Sequence, residues 1–225
     1  MFKKLILATL CSATVMSGAQ AADSVDLKVT GTLVNGACTP SLENGGVVDF
    51  GHIPLGNLSK TGINQLGSKT QTLTITCDSE MPVAWAIVDN KKDTLANIEV
   101  DNAWFNGGNA TASGNQFGLG ETSAGVKIGA YTVGIDGSKT TVDGANGDLI
   151  RHDTNQEPWV NSDSGATQTF GRNETIAAKG SLEPLAGKVF VYPLKVTAAI
   201  QGTDTLAVTD DTQLDGSATI SVVYI

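Results

Sequence analysis

The sequence predicts an all-β protein, an antiparallel β-sandwich, and three observations lead to this fold class. Apolar residues alternate with polar ones along several short stretches, which is the period of a strand with one buried face. Clusters of Gly, Asn, Asp and Ser separate these stretches and mark turns and loops. The chain has 26 glycines and no sustained 3.6-residue periodicity, so few and short helices are expected. Short strands separated by turn signals are typical of a sandwich.

The first 21 residues are predicted to be a secretion signal that is removed from the mature protein. Lys3 and Lys4 precede an apolar run over residues 5–16, and a small-residue cleavage pattern follows it. Cleavage is expected between Ala21 and Ala22. Because the apolar run is too short to span a membrane, the mature protein is expected to be exported, without direct membrane insertion.

The remaining residues, 22–225, have the length of one domain. A polar, glycine-rich region over roughly residues 90–177 is predicted to extend the sandwich with long strands and loops. The formal net charge of the whole sequence is −9 at pH 7. Nucleic acids and anionic lipids bind through clustered cations, so the composition disfavours both as partners.

The strands are predicted in order along the chain. Residues 25–34 alternate apolar and polar side chains before a turn at residues 35–36. Further alternating stretches predict strands at residues 71–77, 83–88, 127–135, 188–200 and 218–224. Turns and loops are predicted at residues 107–120 and 136–148, and residues 56–67 are a candidate for one irregular helical turn.

Two cysteines remain once Cys11 is removed with the signal. In an exported protein an even pair most simply forms one disulfide, which predicts a bond between Cys38 and Cys77. A metal site is the alternative, but with only His52 and His152 in the chain the spacing of metal ligands is missing. No metal or other cofactor is therefore expected.

The last strand has an apolar face formed by Ala218, Ile220, Val222 and Tyr224. It reaches the last residue of the sequence with no partner strand after it. We therefore expect a sheet edge and a core face that something else covers. The alternative is the ordinary terminal strand of a complete sandwich.

Catalysis has little basis in this sequence. His152 and Asp153 are adjacent, and consecutive residues of a strand point to opposite faces. No Gly-x-Ser-x-Gly nucleophile turn is present, and an enzyme is not expected. Trp104 and Trp159 are candidates for stacking on a sugar, with packing in the core as the more common role of such residues.

Several motifs together resemble the N-terminal half of chaperone–usher pilus subunits. They are VTGTLVNGACTP at residues 29–40, VVDFG at residues 47–51, Leu58, Gly62, and LTITC at residues 73–77. Pilus subunits place a second cysteine about forty residues after the first and end in an alternating strand with a penultimate aromatic residue, here Tyr224. A closer resemblance, over nearly the whole mature chain, is to the GltF-like fimbrial or periplasmic proteins of enteric bacteria. The matching segments are residues 36–40, 44–48, 117–120, 127–129 and 219–225.

The pilus resemblance implies an immunoglobulin-like (pilin-type) sandwich that lacks its final strand. A periplasmic chaperone would lend a strand and hold the terminal carboxylate, here that of Ile225, and the N-terminal arm of the next subunit would later replace that strand. The groove would be bordered by the C-terminal strand with Ala218, Ile220, Val222 and Tyr224. The donor arm would present Val25, Leu27 and Val29.

The resemblance implies an exported fimbrial-like structural protein, a minor or accessory pilus subunit located in the periplasm or in a cell-surface fimbrium. Its partners would be a periplasmic pilus chaperone, an outer-membrane usher and other fimbrial subunits. Two features depart from an ordinary pilin: the arm before Gly31 is short, and the central region is enlarged. Two alternatives therefore stay open, a self-contained periplasmic sandwich and an adhesin-type module that binds a glycan receptor.

Overall fold

The computed structural model describes residues 27–31, 36–153, 158–208 and 211–225. The predicted signal peptide and Val25 lie outside the described residues. The chain divides into two units, Met1–Val34 and Asn35–Ile225. In the first unit the described residues, 27–31, have no regular secondary structure. The strand predicted at residues 25–34 is therefore wrong for residues 27–31. An alternating stretch becomes a strand only when a neighbouring strand accepts and donates its backbone hydrogen bonds.

The described part of the second unit is almost entirely β-structure. Its strands are β1 (Cys38–Leu42), β2 (Asn64–Asp89), β3 (Phe117–Gly118), β4 (Gly129–Ile135), β5 (Thr141–Val142), β6 (Ala145–Asn146), β7 (Asp148–Asp153), β8 (Val160–Asn161), β9 (Arg172–Ala177), β10 (Ala186–Ile200) and β11 (Ala218–Tyr224). One α-helix is present among these residues, Thr203–Leu206. Short 3-10 turns lie at Glu43–Gly46, Leu55–Asn57, Lys92–Thr94, Ser113–Asn115 and Gly137–Lys139. No helix of the described ranges has the length and apolar character needed to cross a bilayer.

The strands form two antiparallel sheets that share β2. The first half of β2 pairs with β1 and β10, and β10 pairs in turn with β4 and the β5–β6 hairpin. The second half of β2 pairs with β11 on one side and meets β9 on the other. The second sheet therefore has the order β11, β2, β9, β7, β8. This arrangement confirms the predicted all-β sandwich.

The main core lies between the two sheets. It is formed by buried apolar side chains from both halves of β2 and from β4, β7, β9 and β10. At its centre Trp85 of the second sheet meets Tyr192 of the first with ring centroids 5.6 Å apart, and both residues are fully buried. Edge-to-face aromatic pairs of this kind add to the free energy gained from burial alone.

The alternation of apolar and polar residues predicted the positions of most long strands correctly. The predictions at residues 127–135, 188–200 and 218–224 correspond to β4, β10 and β11. The two strands predicted at residues 71–77 and 83–88 are one continuous strand, β2. β1 was not predicted, and the loop predicted at residues 136–148 contains the β5–β6 hairpin. The central region, residues 90–177, supplies the short strands β7, β8 and β9 of the second sheet.

The predicted disulfide is confirmed, since Cys38 of β1 is bonded to Cys77 of β2. The two residues lie directly opposite each other in the β1–β2 register. Cys77 is buried, and Cys38 packs at the margin of the core. The bond therefore ties an edge strand to the strand that both sheets share.

Removing the disulfide is expected to destabilise the protein without changing its fold. With 39 residues of separation between the cysteines, the chain-entropy model gives a loss of roughly 4 kcal/mol in the free energy of unfolding. Urea denaturation of the Cys38→Ala, Cys77→Ala double variant measures this loss. The oxidised parent serves as reference, and the reduced parent should approach the variant. Equal unfolding midpoints for the oxidised parent and the variant would contradict the expectation.

Candidate functional site

The outer edge of β11 is open in the described structure. On one side β11 pairs with β2 along its whole length, from Ala218 opposite Asp89 to Tyr224 opposite Val83. On its other side, no strand among the described residues pairs with it. The backbone N–H and C=O groups on this side are therefore available to an added strand.

The side chains of β11 alternate between the core and the surface. Ala218, Ile220 and Val222 are half-buried and pack against the main core, whereas Thr219 and Ser221 are exposed. A complete sandwich would cover the three inward side chains on both sides. We call the outer edge of β11, with these three side chains, the β11 edge.

The first strand lies close to one end of the β11 edge. The backbone N–H of Cys38 donates a hydrogen bond to the hydroxyl oxygen of Tyr224, with a distance of 3.0 Å between the heavy atoms. The side chain of Tyr224 is otherwise exposed at the rim, and Ile225 is exposed beside it. Leu42 and Met81 pack half-buried against the same core. The predicted inward face is thus formed by Ala218, Ile220 and Val222, with Tyr224 at the rim.

The residues of the predicted donor arm belong to the first unit. Val25 lies outside the described residues. Leu27 and Val29 are described, and their side chains are 91% and 89% exposed. Apolar side chains with this exposure gain free energy from any surface that removes them from water.

A second group of candidate functional residues lies where the inner face of the second sheet changes from apolar to charged side chains. Opposed residues of antiparallel strands share a face, and three successive pairs of β7 and β9 do so here. They are Leu149 with Ile176, Arg151 with Glu174, and Asp153 with Arg172. The first pair is part of the main core, so the sandwich interior ends in a polar cluster.

Asp153 holds this cluster together through two arginines. Its carboxylate accepts a hydrogen bond from Arg172 Nε at 2.6 Å and one from Arg151 Nη1 at 3.1 Å. Arg172 Nη1 also donates to the backbone oxygen of Ala166 at 2.9 Å. Burial raises the pKa of Asp153, but the two arginines outweigh burial and hold the pKa below its ordinary range.

Glu174 is buried without such a partner. Only 2% of the residue is exposed, and neither carboxyl oxygen makes an ordinary hydrogen bond with any described residue. Burial raises its pKa to about 8, against a weaker opposing effect of Arg172 and of the nearby Ser162 hydroxyl. Glu174 is therefore protonated at neutral pH, as expected for a carboxyl group in a low-dielectric interior.

Sequence reasoning missed this cluster, although part of the signal was present. Arg172, Glu174 and Ile176 alternate at the period of a strand, so a strand over these residues would place the two charged side chains on the face of a core isoleucine. Of the adjacent pair His152 and Asp153, the carboxylate of Asp153 binds Arg151 and Arg172.

Two cavities lie next to the polar cluster. One, of about 480 Å³, is bordered by the loop of residues 104–115, by Arg151 and Arg172, by Asn161 of β8, and by residues after β8 such as Gln168. The other, of about 500 Å³, extends from it along residues 136–138 and 161–164. Both volumes lie in the range of small-molecule sites.

The two predicted sugar-stacking residues differ in position. Trp104 is 7% exposed and packs in a small core of its own, from which it lines the 480 Å³ cavity. Trp159 is half-buried, and its ring lies 5.3 Å from that of His152 between centroids. The structure does not bring the two tryptophans together at one cavity.

The fold and these features define an all-β sandwich protein in which the β11 edge has no partner among the described strands and a polar pocket region lies near β7 and β9. Residues 27–132 match a family described as a protein of unknown function, DUF1120. Over 99% of this chain and 98% of the relative, the sequence is 32% identical to protein GltF of Escherichia coli K12. It is 31% identical to the uncharacterized protein YhcF of the same organism, again over 99% of this chain and 98% of the relative. The chain belongs to the family of GltF and YhcF.

The buried carboxyl group predicts a pH-dependent stability. Because the pKa of Glu174 is about 8 in the folded protein and 4.5 as its ordinary value, the folded state holds a proton that the unfolded state releases between these values. Stability is therefore expected to fall as pH rises from about 5 to 8, by up to about 1.4 kcal/mol per pH unit from this group.

Glu174→Gln is expected to flatten this fall, because glutamine does not titrate. Urea unfolding at several pH values between 5 and 8 measures the slope for parent and variant. Glu183→Gln, at an exposed glutamate, is the matched control and should keep the parent slope. Parallel slopes for the parent and Glu174→Gln would show that Glu174 does not retain a proton in the fold.

Proposed function

We propose that this protein is an exported fimbrial-like structural protein that assembles by β-strand complementation, as a minor or accessory pilus subunit. The observation that carries the proposal is the β11 edge. Its backbone has no partner on one side among the described residues, and its inward side chains are only half-buried. An added strand would complete both the hydrogen bonding and the burial.

The composition of β11 suits strand addition. Natural sheet edges are commonly protected by lysine, proline or other charged residues that prevent pairing with another chain. The sequence of β11, ATISVVY, contains none of these. Its alternation of inward Ala218, Ile220 and Val222 with outward Thr219 and Ser221 would also determine the register of an incoming strand.

The N-terminal arm of another copy, or of another fimbrial subunit, is the proposed donor. Leu27 and Val29 alternate with polar residues, and both side chains are exposed. Val25 continues this pattern in the sequence. Because arm and edge lie on different parts of the chain, such pairing is head-to-tail and gives open filaments instead of closed oligomers.

The proposed pathway requires export and two assembly partners. A periplasmic chaperone would cover the β11 edge first, and an outer-membrane usher would exchange the chaperone for the next subunit. The Cys38–Cys77 disulfide suits this setting, because disulfides persist in oxidising compartments such as the periplasm. No catalytic step is part of the proposal.

A peptide with the sequence of residues 22–34 is expected to stabilise the mature protein, residues 22–225. At a free peptide concentration 100 times the dissociation constant, binding adds about 2.7 kcal/mol to the free energy of unfolding. For a domain of this size the melting temperature should rise by roughly 5–10 °C. Thermal unfolding followed by circular dichroism, with and without peptide, measures the rise.

The control peptide carries aspartate in place of Val25, Leu27 and Val29, which removes the apolar face but keeps the length. It should leave the melting temperature unchanged. A cooperative monomer that ignores both peptides would contradict strand complementation and would favour a self-contained periplasmic sandwich.

A charged residue among the inward side chains of the β11 edge is expected to abolish the rise in melting temperature caused by the peptide. Val222→Asp places a carboxylate among half-buried apolar side chains, where an added strand would remove it from water at a high cost in free energy. Ser221→Asp, on the exposed face of the same strand, is the matched control and should retain the rise. If both folded variants retain it, the peptide binds elsewhere.

A further inference from the structure

We propose that the 480 Å³ cavity beside the polar cluster is a binding site for a neutral saccharide. It is formed by the loop of residues 104–115 on one side and by β7, β8, β9 and the segment after β8 on the other. The second cavity, of about 500 Å³, shares Asn106, Asn161 and Asp163 with it. The two together form a continuous depression that could hold more than one sugar ring. We call it the polar pocket.

The walls of the polar pocket are held by hydrogen bonds to the sandwich. The backbone N–H of Ile135 donates to the oxygen of Gly165 at 2.7 Å, and the Thr167 hydroxyl donates to the oxygen of Val133 at 2.7 Å. Gly165 has a φ of +62°, and a Cβ there would lie 1.9 Å from the Ile135 oxygen, so only glycine permits this approach. Asn115 Nδ2 joins the opposite wall to the oxygen of Thr167 at 2.7 Å.

Such bonds fix both walls before any ligand arrives. A site that is already ordered loses less conformational entropy on binding. The pocket is therefore suited to a small ligand that makes several polar contacts at once.

Several amide groups at the pocket have unused hydrogen-bonding capacity. The side chains of Asn161 and Gln168 make no hydrogen bond with any other described residue, and Asn106 uses only its oxygen, which accepts from Gly108. An amide offers two donors and an acceptor. A sugar hydroxyl both donates and accepts, so amides of this kind match it better than they match a purely anionic or cationic group.

The charges around the pocket disfavour an anionic ligand. Arg151 and Arg172 both bind the carboxylate of Asp153. Asp163 and Asp148 add negative charges to the lining, and the third lining carboxylate, Asp136, is paired with Lys139. Glu174, behind the arginines, is neutral below its raised pKa. The pocket thus has no excess positive charge to compensate a bound anion, in a protein whose own net charge is negative. The edge of Trp104, 7% of which is exposed, and the methyl groups of Ala112 and Ala166 form the apolar part of the wall.

The polar pocket and the β11 edge lie at opposite ends of the second sheet. β11 begins the order β11, β2, β9, β7, β8, and β7 and β8 end it. Saccharide binding therefore does not depend on strand complementation. A strand added at β11 should leave the saccharide affinity unchanged.

The test begins with the mature protein on an array of neutral and acidic oligosaccharides. The strongest neutral ligand is then titrated by calorimetry into the parent protein and an Asn161→Ala, Gln168→Ala double variant. We expect affinity to fall at least tenfold in the double variant, because each replaced amide removes hydrogen bonds that it makes only to the ligand. Asn97→Ala, at an exposed asparagine outside both cavities, is the matched control and should keep the parent affinity.

Equal melting temperatures of the parent and the variants would show that loss of binding is not loss of folding. Binding to acidic oligosaccharides alone would overturn the proposal, as would an array without any signal. Neutral binding that the double variant retains would place the saccharide elsewhere on the protein and would also overturn it. Failure of the peptide experiment at the β11 edge would leave the saccharide result intact, so the two proposals fail separately.

Discussion

The whole sandwich depends on the backbone hydrogen bonds of one strand, β2. It runs for 26 residues and passes from the first sheet into the second. Four strands pair with it directly, β1 and β10 along its first part and β11 and β9 along its second. Because every other strand is reached through one of these four, β2 determines which strands become edges. The disulfide at Cys77 anchors β1 to the middle of this strand.

The position of β11 follows from that constraint. A strand that pairs with the second part of β2, on the side away from β9, has a single partner among the described strands. Its inward side chains still contact the main core, since the strand lies over the same interface that Trp85 and Tyr192 fill. Half-burial of the inward side chains and an unpaired outer backbone therefore occur on the same strand.

At the opposite end of the second sheet, near β7 and β9, the pairing of charged side chains is the main constraint. Between β7 and β9 the inner face changes from Leu149 and Ile176 to charged residues over two pairs. Burying arginine and carboxylate side chains is unfavourable unless each is paired, and Asp153 supplies that pairing for Arg151 and Arg172. Glu174 avoids the penalty by keeping its proton.

The sequence by itself determined the fold class, the long strands β4, β10 and β11, and the pairing of Cys38 with Cys77, because period-two alternation and an even cysteine count are local or compositional signals. It also indicated the alternating faces of β11. Only the tertiary structure decided that residues 64–89 form one strand shared by two sheets. It alone brought Asn106 to the same cavity as Asn161 and Gln168. Alternation tells which side of a strand is apolar, but the neighbour of each strand depends on long-range hydrogen bonds that no local pattern encodes.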